Sequence, residues 1–342
     1  MDSIDIRVLK TLLGWRQAGQ QVLWVTVLQT WGSSPRPIGS MMAINEDGQV
    51  VGSVSGGCIE DDLIHQREQY LEQGRTQQAP QRLRYGIKAE EAHRFGLPCG
   101  GVIDLLVEYS PQVTLLQQLL DAIETGHSIE KRVCLNTGAL TVDSNARQGS
   151  LNIVDDQVCH FFGPPYRMLL IGAGQLSEYL ATMAIFNGFQ VTVCDPRSQY
   201  SGDWQVPKAN LVTGMPDDEV LAFQANDRSV IVALTHDPKL DDMALLEALM
   251  SPALYVGAIG SRRNQDQRRE RLREHFDIPE SALQRLRGPV GIYIGSKTPA
   301  EIAVSIMADI IAVKNDVALP PEVTVGKAKD RLEIQHSAVT AD

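Results

Sequence analysis

Residues 167–177 read RMLLIGAGQLS, and the reading of this stretch decides the fold. An apolar run without polar alternation is the mark of a strand buried on both faces. It breaks into Gly172-Ala-Gly174-Gln-Leu-Ser177, a GxGxxS turn that opens a helix. Gly172 permits the tight turn, Gly174 lets the backbone approach a phosphate, and the small Ser177 permits close helix packing. The helix start then offers unpaired N–H groups and a positive dipole end to an anion. A second apolar strand, Gln190–Asp195, ends on an acid about 20 residues further on, where a carboxylate can meet a ribose hydroxyl. Ser177 and the neighbouring Arg197 leave other phosphate-bearing ligands open, a phosphorylated pterin among them, and so does a Rossmann domain with no nucleotide at all.

Outward from this turn, strands and helices alternate. Ser229–Thr235 and Leu254–Ile259 read as strands and Asp241–Met250 as a helix, which implies a parallel sheet covered on both faces. Its functional face is the edge at the strands' carboxyl ends. Thr235-His236-Asp237 lies there, with His236 a candidate acid/base or metal ligand and a local cap at Asp237 the plainer reading. Gly260, Ser261 and Arg262 form a second candidate phosphate site at a helix start. Arg268, Arg269, Arg271 and Arg273 alternate with Glu270 and Glu274, the pattern of a solvated helix face.

The first half reads as α+β. A short amphipathic helix precedes a strand, Gln21–Gln29. A proline- and glycine-rich loop, Trp31–Gly39, leads to a hairpin turning at Asn45–Gly48, and a helix runs over about 59–72. Gly101–Tyr109 is a strand and Val113–Glu124 a helix. The expected organisation is an N-terminal α+β domain (1–110), a connecting helix with short strands (111–165), a Rossmann-like doubly wound domain (166–315) and a weakly ordered tail (316–342).

The chain has 342 residues and a net charge of −11, which disfavours nucleic acid and anionic membrane as partners. Its first residues, MDSIDIRVLK, carry charge where a signal peptide needs an apolar core, so a cytoplasmic protein is expected. Five scattered cysteines form no CxxC pair. Most read as small buried hydrophobes. Cys58, in SVSGGC, and Cys99, in LPCGG, sit instead among glycines, which imply close backbone approach. Amides and a helix dipole at Cys58 favour the thiolate, while Glu60, Asp61 and Asp62 oppose it.

Together these segments resemble the XdhC/CoxI family of xanthine dehydrogenase accessory factors. The resemblance rests on Gly32-Ser-Ser-Pro-Arg-Pro-Ile-Gly39, Gly52–Glu60 and Pro98–Gly101 in the first half. In the second it rests on Ile171–Gly174, Cys194–Arg197, Thr235–Asp237, Tyr255–Arg262, Gly291–Gly295 and Thr298–Glu301. The family pattern has His where this chain has Gln175 and Asp where it has Tyr293.

The resemblance implies a chaperone that holds the molybdenum cofactor (molybdopterin), shelters its sulfurated form and passes it to a xanthine-dehydrogenase-type apoenzyme after meeting a cysteine desulfurase. It places no turnover chemistry on the chain itself. On that reading Arg36, Ser55, Gly56 and Gly57 are candidates for the phosphate. Cys58 or Cys99, beside Gly100, would relay sulfur, and Cys58 is the candidate molybdenum ligand. Gly172, Gly174, Asp195, Arg197, Gly260, Ser261 and Arg262 are the cofactor candidates of the Rossmann half, and a homodimer is an expectation. The rival reading is an NAD(P)-dependent oxidoreductase built on the Rossmann domain, with His236 as its proton carrier.

Overall fold

The computed structural model describes residues 4–32, 36–76, 79–86, 102–144, 149, 151–202 and 204–329; of Cys58 and residues 74–76 only the backbone is described. Contacts divide the chain into two units that meet in sequence at Pro164 and Pro165.

The first unit contains two antiparallel sheets. One has the order β3-β2-β1-β5-β4, from β1 (Val22–Trp31), β2 (Met41–Asn45), β3 (Val50–Gly52), β4 (Gln81–Tyr85) and β5 (Val102–Tyr109). β1 is central and buried on both faces, which explains its unbroken apolar sequence. Leu23, Val25 and Val27 pack with Ile59 and Leu63 of α2 (Cys58–Thr76). On the opposite face Trp24 packs with Leu9 and Leu12 of α1 (Ile4–Gln17) and Leu116 and Leu119 of α3 (Val113–Glu124). β4 is polar in sequence because Arg82 and Arg84 both bind the fully buried Asp104 on β5.

Residues 129–162 are more than a connection. They form the second sheet, ordered β7-β6-β9-β8, from β6 (Ile129–Cys134), β7 (Leu140–Asp143), β8 (Asn152–Val154) and β9 (Gln157–Phe162). Its interior holds Glu130, Lys131 and His160 alongside Val133 and Val158, so the usual alternation of apolar and polar residues is broken.

The second unit is a parallel sheet in the order β12-β11-β10-β13-β14-β15. The strands are β10 (Arg167–Ile171), β11 (Gln190–Cys194), β12 (Ala209–Val212), β13 (Ser229–Ala233), β14 (Tyr255–Ala258) and β15 (Leu286–Arg287). The chain winds outward from β10 in one direction through β12, then returns to β13 and winds the other way. The α/β Rossmann architecture expected from RMLLIGAG is therefore present, with its switch point between β10 and β13. α4 (Gln175–Phe186) and α8 (Pro299–Lys314) cover one face; α5 (Pro216–Phe223), α6 (Pro238–Met250) and α7 (Arg262–Phe276) cover the other.

Residues 317–329 are not a loose tail. Tyr293 donates its amide to the Val323 carbonyl at 2.7 Å, Ile292 bridges Thr324, and Ala328 is buried. Among the described residues no helix is long and apolar enough to cross a membrane.

Candidate functional site

The glycine turn after β10 is held by its own neighbours. Gly172 has φ +108°, and a Cβ there would lie 3.1 Å from the Thr235 backbone across the switch point, so only glycine fits. Gly174 caps α4 without a side-chain hydrogen bond, and a Cβ there would meet nothing within 4 Å. Ser177 is buried, and its Oγ has no hydrogen-bond partner.

Asp195 is fully buried, and both its oxygens are occupied. Oδ2 accepts from the Ala173 amide at 2.8 Å and Arg197 Nη2 at 2.9 Å; Oδ1 accepts from the Arg197 amide at 3.0 Å and its Nε at 2.9 Å. Burial pushes this carboxyl up, but the Arg197 guanidinium and the amides outweigh it and hold it below the usual carboxylate range. Asp195 thus braces the glycine turn, and the ribose acceptor expected from its spacing has no lone pair to spare. Arg197 in turn gives its Nε and Nη2 to Asp195 and stacks on Tyr200, 4.2 Å from the ring centroid.

The loops after β13 and β14 are tied together from beneath. Thr235 donates its hydroxyl (2.7 Å) and amide (3.1 Å) to Asp241 Oδ1. Arg268 then joins Asp241 (3.0 Å), Asp242 (3.0 Å) and the Ile259 carbonyl (3.1 Å), and Arg271 joins Asp242 at 2.7 Å. The arginine run on α7 is therefore a solvated face only in part: Glu270, Arg273 and Glu274 are exposed, but Arg268 is buried, and Arg269 caps the Leu283 and Leu286 carbonyls. Periodicity cannot reveal such a role, because a buried arginine and a solvated one look alike in sequence. Asp237 caps α6 through the Lys239 amide at 2.9 Å, and His236 is exposed in the left-handed region with φ +60°. Ser261 caps α7 through the Asn264 amide at 3.1 Å, after Gly260 at φ +148°. Arg262 is the first residue of that helix.

In the first unit, the Ser53–Gly57 loop wraps a carboxylate of its own chain. Glu60 Oε1 accepts from the amides of Val54 (2.8 Å), Ser55 (2.7 Å) and Gly56 (3.1 Å) and from Ser53 Oγ (2.7 Å). Its Oε2 accepts from the Gly57 amide at 2.9 Å and from Ser55 Oγ. Burial works against the charge, but the hydrogen bonds from Ser55 and Ser53 win and lower the Glu60 carboxyl to about 2. The amides expected to receive a ligand phosphate are therefore already engaged.

Glu60 is the residue that sequence reasoning underrated. Its signal was the spacing: a glutamate at the third helical position reaching back to the residue before the helix is half a capping box. Arg36 joins this loop through Nε to Ser53 Oγ at 3.2 Å. Gly57 has φ +149°, and the space its Cβ would fill is open. Arg36, Ser55, Gly56 and Gly57 are thus brought together, with the backbone of Cys58 starting α2 beside them. The Cys58 thiol, Cys99 and Gly100 lie outside what the structure describes. Among the described residues no cluster of three or more His, Cys, Asp or Glu side chains is arranged for a metal ion.

Two family models match. Residues 15–86 match the XdhC and CoxI family, and residues 168–310 match the XdhC Rossmann domain. A Bacillus subtilis (strain 168) protein named as a probable xanthine dehydrogenase subunit is 27% identical over 327 residues, which cover 88% of this chain and 95% of that protein. The molybdenum cofactor insertion chaperone PaoD of Escherichia coli (strain K12) is 25% identical over 310 residues, 89% of this chain and 88% of that one. A crystal structure from Bacillus halodurans, described as a xanthine dehydrogenase, superposes with a TM-score of 0.75 at 26% identity, covering 94% of this chain and 99% of the other.

Proposed function

Because the chain belongs to the XdhC and CoxI family, we propose that it is an accessory protein that binds molybdenum cofactor and passes it, as cargo, to a xanthine-dehydrogenase-type enzyme. The observation that carries the reading is the loop around Glu60. Five donor residues fix a glycine loop at a helix start, attach Arg36 to it, and set the Cys58 backbone beside the open space at Gly57. A fixed loop of this kind carries one cation beside a helix whose first residue is a cysteine, residue types that suit an anionic, thiophilic cargo.

The cargo is a pterin phosphate with a sulfur-bound metal. Arg36 would meet its charge and Cys58 its metal or its labile sulfur, while Glu60 holds the geometry. Delivery of the sulfurated form, and a cysteine desulfurase as the partner that loads it, belong to the same proposal. An NAD(P)-dependent oxidoreductase finds less support, since the Asp195 oxygens it would need are taken by Ala173 and Arg197.

The test is anaerobic loading of the full chain with molybdenum cofactor, followed by ultrafiltration and metal analysis. Near-stoichiometric molybdenum in the wild type, lost in Cys58→Ala and kept in Cys134→Ala, is the expected result. Equal retention by both variants would remove Cys58 from the site, and no retention by the wild type would overturn the function.

A further inference from the structure

The Rossmann unit has a second cleft away from its switch point. It lies past the carboxyl end of β15, beside the first turns of α7, with a volume of about 390 Å³, within the roughly 300–1,000 Å³ usual for small-molecule sites. Four cations line it (Arg262, Arg269, Arg287 and Lys327) against two carboxylates (Asp266 and Asp309), a surplus of two positive charges in a chain of net charge −11. Arg287 is fixed by Asp309 at 2.9 Å, and Asp309 also takes the Tyr255 hydroxyl at 2.7 Å, so the cation is set in place before any ligand arrives. The wall bearing Lys327 comes from the ordered segment 317–329, pinned by the Tyr293–Val323 hydrogen bond.

An independent feature points to a ligand. Gln265, 2% exposed, lines the same cleft. Its Nε2 donates to the Ala258 and Ile259 carbonyls at 3.1 Å each, while its Oε1 has no partner. That oxygen lies against Gly288, another lining residue, at the place a Cβ would occupy, so the backbone there is kept bare beside it. A buried acceptor without a donor costs about 1–3 kcal/mol, a cost a bound donor would relieve. At the switch point, by contrast, the acid is spent on its own chain.

We propose that this cleft binds a small phosphate monoester whose nitrogen heterocycle donates an N–H to Gln265, with Arg262, Arg287 and Lys327 receiving the phosphate. The cleft belongs to the second unit and the Glu60 loop to the first, and occupancy of the cleft is tested without reference to the molybdenum-cofactor reading.

Isothermal titration of the full-length protein, free of molybdenum, with inorganic phosphate and with guanosine monophosphate tests it. The expected result is saturable one-site binding, at least tenfold weaker in Lys327→Glu and in Arg262→Glu and retained in Lys208→Glu, an exposed cation of the same unit outside the cleft. The nucleotide should bind more tightly than inorganic phosphate, and that advantage should vanish in Gln265→Leu. Lys327 is exposed, so its variant tests the charge requirement without disturbing the core. Absence of saturable binding, binding unchanged in Lys327→Glu, or binding weakened as much in Lys208→Glu as in Lys327→Glu would overturn the proposal. Equal affinities for the nucleotide and inorganic phosphate in the wild type would overturn the role given to Gln265.

Discussion

Arg197 grips Asp195 with two parallel hydrogen bonds, Nε to Oδ1 and Nη2 to Oδ2, each 2.9 Å, directly beneath the glycine turn. The pair neutralises a fully buried carboxylate that also fixes the Ala173 amide. Removing the cation strands that charge. Arg197→Ala is therefore expected to lower unfolding free energy by about 2–4 kcal/mol in urea melts, whereas Asp195→Asn, which leaves no buried charge, should cost less. Equal costs for the two would refute the reading of Asp195 as a buried, Arg197-neutralised brace.

The Glu60 carboxylate is the hub of the Ser53–Gly57 loop, and Glu60→Ala would leave four amides and two hydroxyls without their acceptor. An expected loss of about 2–4 kcal/mol follows from several unmade hydrogen bonds, some of them re-formed with water. Titration gives a second handle. The folded carboxyl is depressed from 4.5 to about 2, so its stabilisation is complete above pH 4.5 and is lost as pH falls towards 2. At about 1.4 kcal/mol per unit, the wild type should shed up to about 3 kcal/mol across that window through this group. Glu60→Gln should flatten the slope there, as read from chemical unfolding at several acid pH values.

These effects show what could and could not be seen in the sequence. The Rossmann unit was legible because parallel strands buried on both faces give unbroken apolar runs such as Met168–Ile171, and its turns need glycine at Gly172. The second sheet of the first unit was not, because Lys131, Glu130 and His160 occupy interior positions and imitate a polar connection. Strand β4 was hidden for the same reason, its arginines being committed to Asp104. At the candidate site the glycines were visible, but not that Glu60 and Asp195, each a few residues away or on the next strand, satisfy the amides those glycines expose. Hydrogen-bond partners are set by three-dimensional closure, which residue spacing constrains only locally.

His160 supplies a pH dependence in a higher range. It is buried against Phe162, with ring centroids 4.2 Å apart, and its Nδ1 has no partner. Burial, helped by the nearby Lys131 charge, lowers its pKa from 6.5 to about 3. The unfolded chain therefore binds a proton that the folded chain refuses, and stability falls as pH drops from 6.5 towards 3. Between pH 6.5 and 5 the loss should approach about 2 kcal/mol. His160→Phe, measured by urea unfolding at both values, should remove most of that difference. An unchanged difference would mean that the ring is protonated in the folded state.

Arg268 joins the loops after β13 and β14 by binding Asp241, Asp242 and the Ile259 carbonyl at once. Its side chain is 5% exposed and that of Asp241 is fully buried, so the ion pair is sheltered from solvent. Truncation to Met would leave Asp241 with only the Thr235 hydroxyl and amide against its charge. A loss of about 3–5 kcal/mol is expected, larger than for Arg273→Met, whose partner Glu280 is exposed at the surface. Arg268→Lys keeps the charge but cannot span three acceptors with one fork, so an intermediate loss is expected. Replacing Asp241 by Asn together with Arg268→Met removes both charges and should recover part of the stability lost in Arg268→Met alone. A double variant no more stable than the single one would show that the guanidinium matters here for its packing, and that the stranded carboxylate is not what destabilises the fold.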